Sequence, residues 1–318
     1  MGNRTVRGPQ PRSPANAEVV RSLREVVRDV REGELLRRHV SFRIGGPADI
    51  LALPRTLGEL RQLVSWLFAQ RLPFVVLGQG SNVLIADAGI RGIVVKIGKG
   101  LDRVMIAGER VTAEAGVGLP HLARRVVEPG LSGLEFAAGI PASVGGAVVM
   151  NAGAHGCAMA DVVRSVRVLT PGGERELEGD ALGYAYRTSV LQAGNAVVLE
   201  VTLQLRRGDP HAIRARTEQW LLERSQTQPI GPPSSGCIFR NPSGDHAGRL
   251  IDLAGAKGVT VGGAQVSDLH ANYVLNAGEA TAADVLALMD KVSGLVVEKC
   301  GVRLEPEIKL LGEFVQSP

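Results

Sequence analysis

The spacing of apolar residues separates the chain into helices and short strands. Glu18–Arg31 places Val and Leu at helical spacing between Arg and Glu, which predicts an amphipathic helix. Thr56–Arg71 predicts a second helix, opened by a Thr-x-x-Glu capping box. Between them, Ser41–Ile50 is a strand-like piece interrupted by Gly-Gly-Pro. Further helices are predicted at Pro120–Glu128, His211–Gln226 and Thr281–Cys300, the last ended by Gly301.

Short β-branched runs bounded by Gly and Pro predict strands between these helices. The strands predicted in the first part of the chain are Phe74–Leu77, Val83–Ile85 and Gly92–Ile97. Those predicted further along are Arg103–Ala107, Arg110–Ala115, Val162–Thr170, Glu174–Glu178, Ala196–Leu205, Tyr273–Leu275 and Glu307–Leu311. This pattern predicts an α+β protein with a polar disordered tail at residues 1–17, followed by units at 18–98, 99–206 and 207–318.

The stretch Gly139–Gly156 reads GIPASVGGAVVMNAGAHG and contains no charged residue. Its many glycines, with Pro141 and Asn151, make it a poor membrane span. Small residues let the backbone approach another group closely. Two interpretations therefore stand side by side: a surface for a flat, phosphate-bearing ligand, and a tightly packed crossing in the core.

A second Gly-rich segment favours the ligand. Phe74–Ile85 reads FVVLGQGSNVLI, two apolar runs around a Gly-x-Gly-Ser-Asn turn. Such a turn aims consecutive backbone N–H groups at one point, forming an anion-binding nest. It is neither a P-loop nor a Rossmann fingerprint, because no Gly-Lys-Ser/Thr follows and a strand rather than a helix comes next. An ordinary hairpin turn is the alternative.

Composition narrows the function classes only slightly. Hydrophobic residues make up 45% of the 318 residues, aromatic residues 3%, and the net charge is +4. So few aromatic residues leave little stacking surface for single-stranded nucleic acid, and no nucleic-acid partner is expected. The small basic excess suits an anionic small-molecule substrate.

Three cysteines, at 157, 237 and 300, show neither zinc-ligand spacing nor an even disulfide framework. A reducing, cytoplasmic setting is therefore expected, with no metal site and no membrane attachment. The first residues lack the apolar region of a signal peptide. A monomer is expected.

Three polar residues stand in unusual surroundings. Arg187 lies in the apolar and aromatic GYAYRTSV, where a guanidinium needs a partner: a structural salt bridge or a bound carboxylate. Glu307 lies in LEPEIKLLG, on a predicted strand whose same face carries Lys309. Cys237 follows Gly236 at the start of a predicted strand, where a buried core thiol is the commoner case.

Seven segments in this order resemble the UDP-N-acetylenolpyruvoylglucosamine reductase family of flavin enzymes. They read SFRIGGPA, LGQGSNVLI, LEFAAGIPASVGGAVVMNAGAHG, YAYRTS, SSGCIFRNP, AGRLID and LEPEIKLLG. The resemblance extends from about Val40 to Gly312. Any single motif is weak, whereas the ordered set is highly specific.

The resemblance implies a two-lobed FAD-binding domain of the vanillyl-alcohol-oxidase type and a C-terminal α+β substrate-binding domain. It implies that the nest holds the FAD pyrophosphate and that the second stretch lines the flavin and ribityl portion. The cofactor-binding residues so implied are Gly78, Gln79, Gly80, Ser81, Asn82, Gly139, Ile140, Pro141, Ala142, Ser143, Gly145, Gly146 and, near flavin N1, Lys309.

The resemblance also implies the reaction. NADPH reduces FAD, and hydride then passes from flavin N5 to C3 of UDP-N-acetylglucosamine enolpyruvate. Arg187 and Glu307 match the family residues that stabilise the resulting enolate, for which Glu307 would have to hold or share a proton. Protonation at C2 yields UDP-N-acetylmuramate, a precursor of peptidoglycan.

Cys237 is a departure from the family, in which the proton donor is usually Ser. A thiol has an unperturbed pKa of about 8.5, so we expect Cys237 to serve as the acid and its ionisation to limit activity at measurable alkaline pH.

The resemblance also implies residues that would contact the substrate. Arg240 and Asn241 follow the acid, and Tyr186 precedes Arg187. Only TSVLQAGNA separates Arg187 from the next strand, which resembles the short (type II) branch lacking an extra Tyr-bearing loop. Further candidates for closing over the diphosphate are Arg249, His270 and Asn272.

Two other functions are compatible with the motifs. An FAD-dependent oxidase of the same fold would use oxygen and another substrate, with His155 or Cys157 as conceivable covalent attachment points. A non-catalytic FAD or nucleotide-sugar sensor would not need Arg187, a proton donor and Glu307 together.

Overall fold

The computed structural model describes residues 17–314. The predicted disordered tail lies outside the described residues except for Ala17, which begins the first helix. The α-helices of the described range are α1 Ala17–Val26, α2 Leu57–Ala69, α3 Leu119–Arg125, α4 Val144–Met150, α5 Pro210–Thr227, α6 Ala247–Leu253 and α7 Ala282–Cys300.

The strands follow in the same chain order. They are β1 Val30–Leu35, β2 Pro47–Ala52, β3 Phe74–Leu77, β4 Val83–Ile85, β5 Ile90–Lys96, β6 Val104–Ala107, β7 Arg110–Glu114, β8 Leu131–Ser132, β9 Gly153–Ala154, β10 Cys157–Ala158, β11 Val163–Thr170, β12 Gly173–Glu178, β13 Val197–Gln204, β14 Arg206–Arg207, β15 Ser234–Cys237, β16 Thr260–Val261, β17 Ala264–Val266, β18 Tyr273–Asn276 and β19 Lys309–Leu311.

The first sheet has the strand order β1-β2-β5-β3, with β2, β5 and β3 parallel and β1 antiparallel at one edge. Helix α2 buries Leu60, Leu63 and Leu67 at helical spacing. In the β3–β5 register, Leu77 pairs with Lys96. Parallel strands end at the same edge, so the loop that follows β3 and the side chain that ends β5 lie together.

The second sheet is antiparallel, in the order β12-β11-β13-β7-β6. Its inward residues, among them Val111 and Val201, share one apolar core with Leu63 of α2 and Val148 of α4. Helix α5 also packs on this core through Trp220 and its neighbour Leu221. The two sheets are thereby joined by continuous apolar packing.

The C-terminal part forms a third sheet, β15-β18-β17-β16, covered by α6 and α7. Its core also takes in Phe42, Ile44 and Leu84 from the N-terminal part. The last strand lies outside this sheet and pairs in parallel with β4, with Lys309 opposite Val83. The chain end therefore returns to the Gly-rich loop. The domain division given above remains a prediction.

The predicted helix at Glu18–Arg31 is wrong in its last five residues. Helix α1 ends at Val26, and β1 begins at Val30. The segment VREGEL is polar because it is an exposed edge strand, and its hydrogen bonds with β2 are contacts distant in sequence. Local spacing therefore could not distinguish this strand from a helix surface.

Both predicted helix caps are confirmed. Thr56 accepts a hydrogen bond from the Glu59 N–H at 3.1 Å, although the Glu59 carboxylate reaches back to the N–H of Arg55. Thr281 and Asp284 form a reciprocal capping box at α7. Gly301 ends α7 in the left-handed conformation, with φ +70°.

Two further differences concern the functional motifs. The Gly139–Gly156 stretch contains helix α4, which the abundance of glycine had hidden. The predicted final strand begins at Lys309, so Glu307 precedes it and does not share a strand face with Lys309. Within residues 17–314, no helix is both long enough and apolar enough to cross a membrane.

Asp87 joins the N-terminal part to the C-terminal part. Its carboxylate accepts hydrogen bonds from the N–H groups of Ala282 at 2.7 Å and Ala283 at 3.1 Å, at the start of α7. Because an anion there satisfies free N–H groups and the helix dipole, Asp87→Ala should lower the free energy of unfolding by about 1 kcal/mol. Urea denaturation followed by circular dichroism would measure the loss. Asp290→Ala, an equal charge change on the exposed face of α7, should have less effect; equal losses would contradict the capping role.

Candidate active site

The loop Gly78–Asn82 and the second Gly-rich stretch lie against each other. A side chain at Gly78 would overlap the hydroxyl of Ser143. Gly80 has φ +68°, a left-handed conformation that glycine adopts without strain. The main chain of Gly118 bridges to that of Ser143. Two segments that the sequence analysis assigned to one cofactor are therefore in contact.

The loop presents free donors. Among residues 17–314, the backbone N–H groups of Gln79, Gly80, Ser81 and Asn82 donate no hydrogen bond to another residue. Four consecutive free N–H groups are the feature of an anion-binding nest. The nest that the sequence predicted is thus available in the fold.

A partly buried cation lies beside this nest. The ammonium of Lys96 donates to the carbonyl oxygen of His39 at 2.9 Å and to that of Gly78. No carboxylate of the described residues pairs with it, and burial lowers the pKa of Lys96 to about 8. An unpaired buried cation is costly without a counter-charge. The surroundings of the loop therefore fit an anionic group such as the diphosphate of FAD.

The second stretch serves packing as well as access. The N–H of Gly145 donates to the Ala115 carbonyl at 2.9 Å, and a side chain at Gly145 would contact the Ala115 side chain. The Ser143 hydroxyl caps α4 by accepting from the Gly146 N–H at 3.3 Å. Gly145 is therefore explained by close packing of α4 on Ala115, the residue after β7. The segment just before the helix, Gly139–Ala142, remains partly or fully accessible.

Arg187 and Glu307 form an ion pair although they are 120 residues apart. The Arg187 Nε lies 2.8 Å from Glu307 Oε1, and a terminal nitrogen donates to the Gly153 carbonyl at 3.0 Å. Arg187 has φ +55°, an unusual conformation for a residue with a side chain. Strained backbone held by its surroundings is frequent at functional sites.

The backbone around Glu307 ties this pair to the other parts of the site. Its N–H donates to the Ile238 carbonyl at 2.7 Å, and its carbonyl accepts from the Asn82 side chain at 3.3 Å. Burial raises the pKa of the Glu307 carboxyl, while Arg187 and Arg240 oppose the rise. A raised pKa favours a carboxyl group that holds or shares its proton.

Cys237 is the third member of the cluster. It ends β15, where it pairs with Tyr273 of β18. Its thiol feels the charges of Glu307 and Arg187, so all three predicted catalytic residues share one electrostatic environment. Asn272 holds the chain just beyond the thiol through two hydrogen bonds to the main chain of Phe239, at 2.9 and 2.8 Å.

The expected alkaline ionisation of Cys237 is wrong. Burial and the carboxylate of Glu307 raise the pKa of the thiol to about 12, against the opposing effects of Arg187 and Arg224. The unperturbed thiol value does not apply because the group lies in this enclosed cluster rather than in water. Cys237 therefore keeps its proton throughout the neutral range.

Lys309 approaches the cluster from the last strand. Its ammonium donates to the Gln192 side chain at 2.8 Å, and Gln192 in turn donates to the Arg187 carbonyl at 2.9 Å. Burial, with Arg240 nearby, lowers the pKa of Lys309. Gln192 thus links the lysine to the strained backbone that carries the guanidinium.

The loop after Cys237 brings two predicted substrate residues together. The Asn241 N–H donates to the Tyr186 hydroxyl at 3.4 Å, and the Tyr186 ring lies 5.1 Å from the Arg187 guanidinium carbon. The Asn241 side chain accepts from the Ala247 N–H at 3.0 Å. Arg240 influences both Glu307 and Lys309 electrostatically.

The remaining candidates are placed differently. Arg249 is exposed and paired with Asp245, whose pKa falls to about 2 because of that pairing. His270 stacks edge-on against Tyr273 with ring centroids 4.9 Å apart, and burial lowers its pKa. The structure thus places His270 beside the strand that pairs with Cys237, whereas Arg249 contacts none of the three catalytic candidates.

Sequence reasoning missed three residues of this region: Lys96, Gln192 and Arg224. The Arg224 side chain lies across Gly139, and its charge reaches Cys237, Tyr273 and His270. A lysine at the end of the buried β5 run was a usable signal for Lys96. Nothing in the local sequence separates Arg224 from the other arginines of α5.

His155 and Cys157, considered above for covalent flavin attachment, belong to the rim of the same region. The His155 ring stacks on Trp220 with centroids 4.6 Å apart, and its Nδ1 lies 3.8 Å from a Glu223 oxygen. Cys157 pairs with Ala154 in a two-stranded ribbon and is a free thiol. Packing thus accounts for the position of the imidazole.

Taken together, the geometry joins an anion nest to a guanidinium–carboxyl pair and a protonated thiol. Two buried hydroxyls, of Tyr184 and of Ser235, have no hydrogen-bond partner within residues 17–314. Ser235 lies two positions before Cys237 in β15. Unpaired buried polar atoms suit a site completed by a polar ligand. Such an arrangement can bind an anionic substrate, stabilise developing negative charge and deliver a proton.

Comparison with known proteins identifies relatives over most of the chain. Residues 228–311 match the family model for the C-terminal domain of UDP-N-acetylenolpyruvoylglucosamine reductase, and residues 48–176 match an FAD-binding domain. The UDP-N-acetylenolpyruvoylglucosamine reductase of Heliobacterium modesticaldum is 45% identical over 295 residues, covering 91% of this chain and 94% of its own. That of Bacillus subtilis is 42% identical over 298 residues, covering 93% and 98%.

A solved structure agrees as well. The crystal structure of the Thermus caldophilus UDP-N-acetylenolpyruvylglucosamine reductase matches with a TM-score of 0.77 and 37% identity, covering 89% of this chain and 98% of its own. The predicted fold class, an α+β protein with a two-lobed FAD-binding domain and a C-terminal α+β domain, is confirmed. The structure gives the position and contacts of each predicted site residue, and the role of each residue stays a prediction.

The electrostatic coupling between Cys237 and Glu307 is measurable by alkylation. In a Cys157→Ser, Cys300→Ser background, iodoacetamide should label Cys237 at a rate that still rises above about pH 10, because its pKa is about 12. Adding Glu307→Gln removes the carboxylate that raises this pKa and should shift the profile to lower pH. Glu305→Gln, an exposed neighbour, should leave it unchanged. A rate that levels off near the pKa of an ordinary thiol would contradict the placement.

Proposed function

The chain belongs to the UDP-N-acetylenolpyruvoylglucosamine reductase family, and we propose that it converts UDP-N-acetylglucosamine enolpyruvate to UDP-N-acetylmuramate with NADPH as reductant. The observation that supports this proposal most directly is the ion pair between Arg187 Nε and Glu307 Oε1, 2.8 Å apart. The charges of both residues act on the protonated Cys237 thiol. Such a cluster suits a reaction that creates and then protonates a carbanion beside a carboxylate.

FAD supplies hydride transfer from the nicotinamide to C3 of the enolpyruvyl group when it is bound. Gly78–Asn82 would hold its diphosphate through the free N–H groups. Gly139–Ser143, with Gly145 and Gly146 beneath, would lie along the flavin and ribityl portion. Lys309 would place a cation beside the flavin ring.

Arg187 and Glu307 would bind the substrate carboxylate and stabilise the enolate. Negative charge develops on the carboxylate when hydride reaches C3, and a guanidinium in a partly buried site offsets that charge strongly. When the substrate carboxylate lies beside it, Glu307 would take up a proton, which its raised pKa favours, and would then donate a hydrogen bond instead of adding a second negative charge. The existing ion pair orients the guanidinium before substrate arrives.

Cys237 would then deliver the proton to C2. Its raised pKa keeps the thiol protonated at neutral pH, and a carbanion is a far stronger base than a thiolate. Transfer forms a C–H bond, breaks the S–H bond and leaves the charge on sulfur, where Arg187 and Arg224 attract it. Solvent returns the proton between turnovers.

The remaining predicted residues would bind the substrate. Tyr186, Arg240 and Asn241 would contact the sugar nucleotide, since Asn241 bonds to Tyr186 beside Arg187 and the charge of Arg240 acts on Glu307. His270 would act nearby, whereas Arg249 would require rearrangement of its pair with Asp245. We propose a monomer that functions in the cytoplasm, in the synthesis of peptidoglycan precursors.

The proposed function predicts that the flavin absorbance of the protein is lost and recovered in each catalytic cycle. The purified protein should be yellow; its flavin absorbance should bleach on anaerobic addition of NADPH and return on addition of UDP-N-acetylglucosamine enolpyruvate. Reoxidation by oxygen alone should be slow, which distinguishes a reductase from an oxidase. Mass spectrometry should identify UDP-N-acetylmuramate as product. A colourless protein, or bleaching that the enolpyruvyl compound does not reverse, would refute the proposal.

Loss of the proton donor should affect only the second half-reaction. Cys237→Ala should slow reoxidation of the reduced enzyme by substrate by about 10²- to 10⁴-fold, because general acid catalysis is lost. Cys237→Ser should retain activity, since a hydroxyl can replace the thiol. Stopped-flow absorbance would show NADPH-dependent bleaching unchanged in both. The control Cys300→Ser alters a thiol on α7 and should leave both half-reactions intact. Normal reoxidation in Cys237→Ala would remove the thiol from the mechanism.

A further inference from the structure

Lys96 occupies a position that the reaction just described does not use. It is the last residue of β5 and lies opposite Leu77, the residue before the Gly78–Asn82 loop. Its side chain bends onto main chain rather than toward solvent: the ammonium donates to the carbonyls of His39 and Gly78. A lysine that ends a buried strand usually extends its charge into water.

The two carbonyls belong to segments that sandwich the loop. Gly78 begins the loop, and the His39 carbonyl lies against Gly80, whose missing side chain would overlap it. By binding both carbonyl oxygens, the ammonium fixes the loop against the 39–40 segment. The four following N–H groups donate to no other residue of the range 17–314. The ammonium thus binds the first carbonyl of the loop, that of Gly78, and leaves the N–H donors of the loop free.

Within residues 17–314, no carboxylate pairs with the Lys96 ammonium. Strand β3 and the loop Gly78–Asn82 carry no charged residue. On the neighbouring β2, Asp49 pairs with Arg91, and beside His39 the carboxylate of Glu34 accepts from the His39 ring at 2.9 Å.

Two other basic side chains near His39 complete the surroundings. Arg37 and Arg38 precede it and are exposed on an open cleft of about 500 Å³ that Val40 and Arg43 also line. Burial without an opposite charge is therefore the state of the ammonium in the protein alone, and it disfavours the charged form.

We propose that Lys96 is a positioning residue for the cofactor: its ammonium orders the Gly78–Asn82 loop and provides the buried positive charge that the diphosphate of FAD neutralises. This inference rests on FAD being the cofactor, as in the proposed function. It goes beyond that function because it assigns the charge balance of the diphosphate site to a residue outside the loop. FAD binding and protonation of Lys96 are then linked.

The linkage has a definite sign. In the free protein the pKa of Lys96 is about 8, and a bound diphosphate would raise it. Binding therefore takes up a proton where the free lysine is neutral, so affinity for FAD should fall as pH rises. With one proton involved, the Kd at about pH 9 should be about tenfold weaker than at about pH 7.

FAD titration of the deflavinated full chain, followed by flavin fluorescence at the two pH values, tests this. Wild type should show the tenfold loss. Lys96→Gln keeps N–H donors but loses the charge. At about pH 7 the variant should bind FAD at least tenfold more weakly than wild type, and its own Kd should change little between about pH 7 and about pH 9. The matched control Lys99→Gln removes an exposed charge three residues away and should behave as wild type.

Thermal unfolding without FAD separates positioning from general stability. Lys96→Gln should unfold close to wild type without cofactor, and the rise in Tm on adding FAD should be smaller. The proposal is overturned by pH-independent FAD affinity in wild type, or by full affinity in Lys96→Gln. If FAD binds normally but the enolpyruvyl compound is not reduced, the proposed function fails while this linkage can still be observed.

Discussion

The parallel pairing of β19 with β4 is the contact on which the arrangement of the site depends. Strand β4 follows the Gly78–Asn82 loop, and β19 follows Glu307, so three paired residues fix the end of the chain beside the nest. The Asn82 side chain and the Lys309 N–H complete the connection. A loop near the start of the chain and a carboxyl near its end thereby share one region, and a ligand held by the first would lie near the second.

Charge placed in partly buried surroundings then determines the chemistry. Arg187 satisfies Glu307, yet burial still raises the pKa of the carboxyl and, with Glu307, raises that of the Cys237 thiol. Both groups are therefore biased toward their protonated forms. A cysteine in place of the usual serine is consistent with proton donation, because the surroundings suppress the thiolate that would otherwise form. Lys96 shows the opposite case, a cation that burial biases toward its neutral form.

The glycines of the two motifs have different physical reasons. Gly80 needs its left-handed backbone, and Gly78 must leave space for Ser143. Gly145 allows α4 to pack on Ala115, so it belongs to the core. Of the two interpretations of the Gly-rich stretch, the tight crossing is therefore observed at α4, and the accessible part before the helix is where we propose the ligand surface. The tight crossing is what holds the accessible part in place.

The sequence by itself determined the elements with strong local signals. Capped helices such as α7, the hairpin of β6 and β7, and the ordered motifs around Gly78, Arg187, Cys237 and Glu307 were recognisable, because each depends on residues close in the chain or on a family pattern. Helix α4 and strand β1 were not: glycine obscured the first, and the second exists only through its pairing with β2.

Only the tertiary structure decided which side chains share a site and what their protonation is. It paired the substrate-binding candidate Arg249 with Asp245, added Arg224, Gln192 and Lys96 to the region, and moved the expected ionisation of Cys237 to higher pH. The reason is that pKa values and ion pairs depend on burial and on neighbours far apart in sequence. Arg187 and Glu307, separated by 120 positions, interact only after the chain has folded.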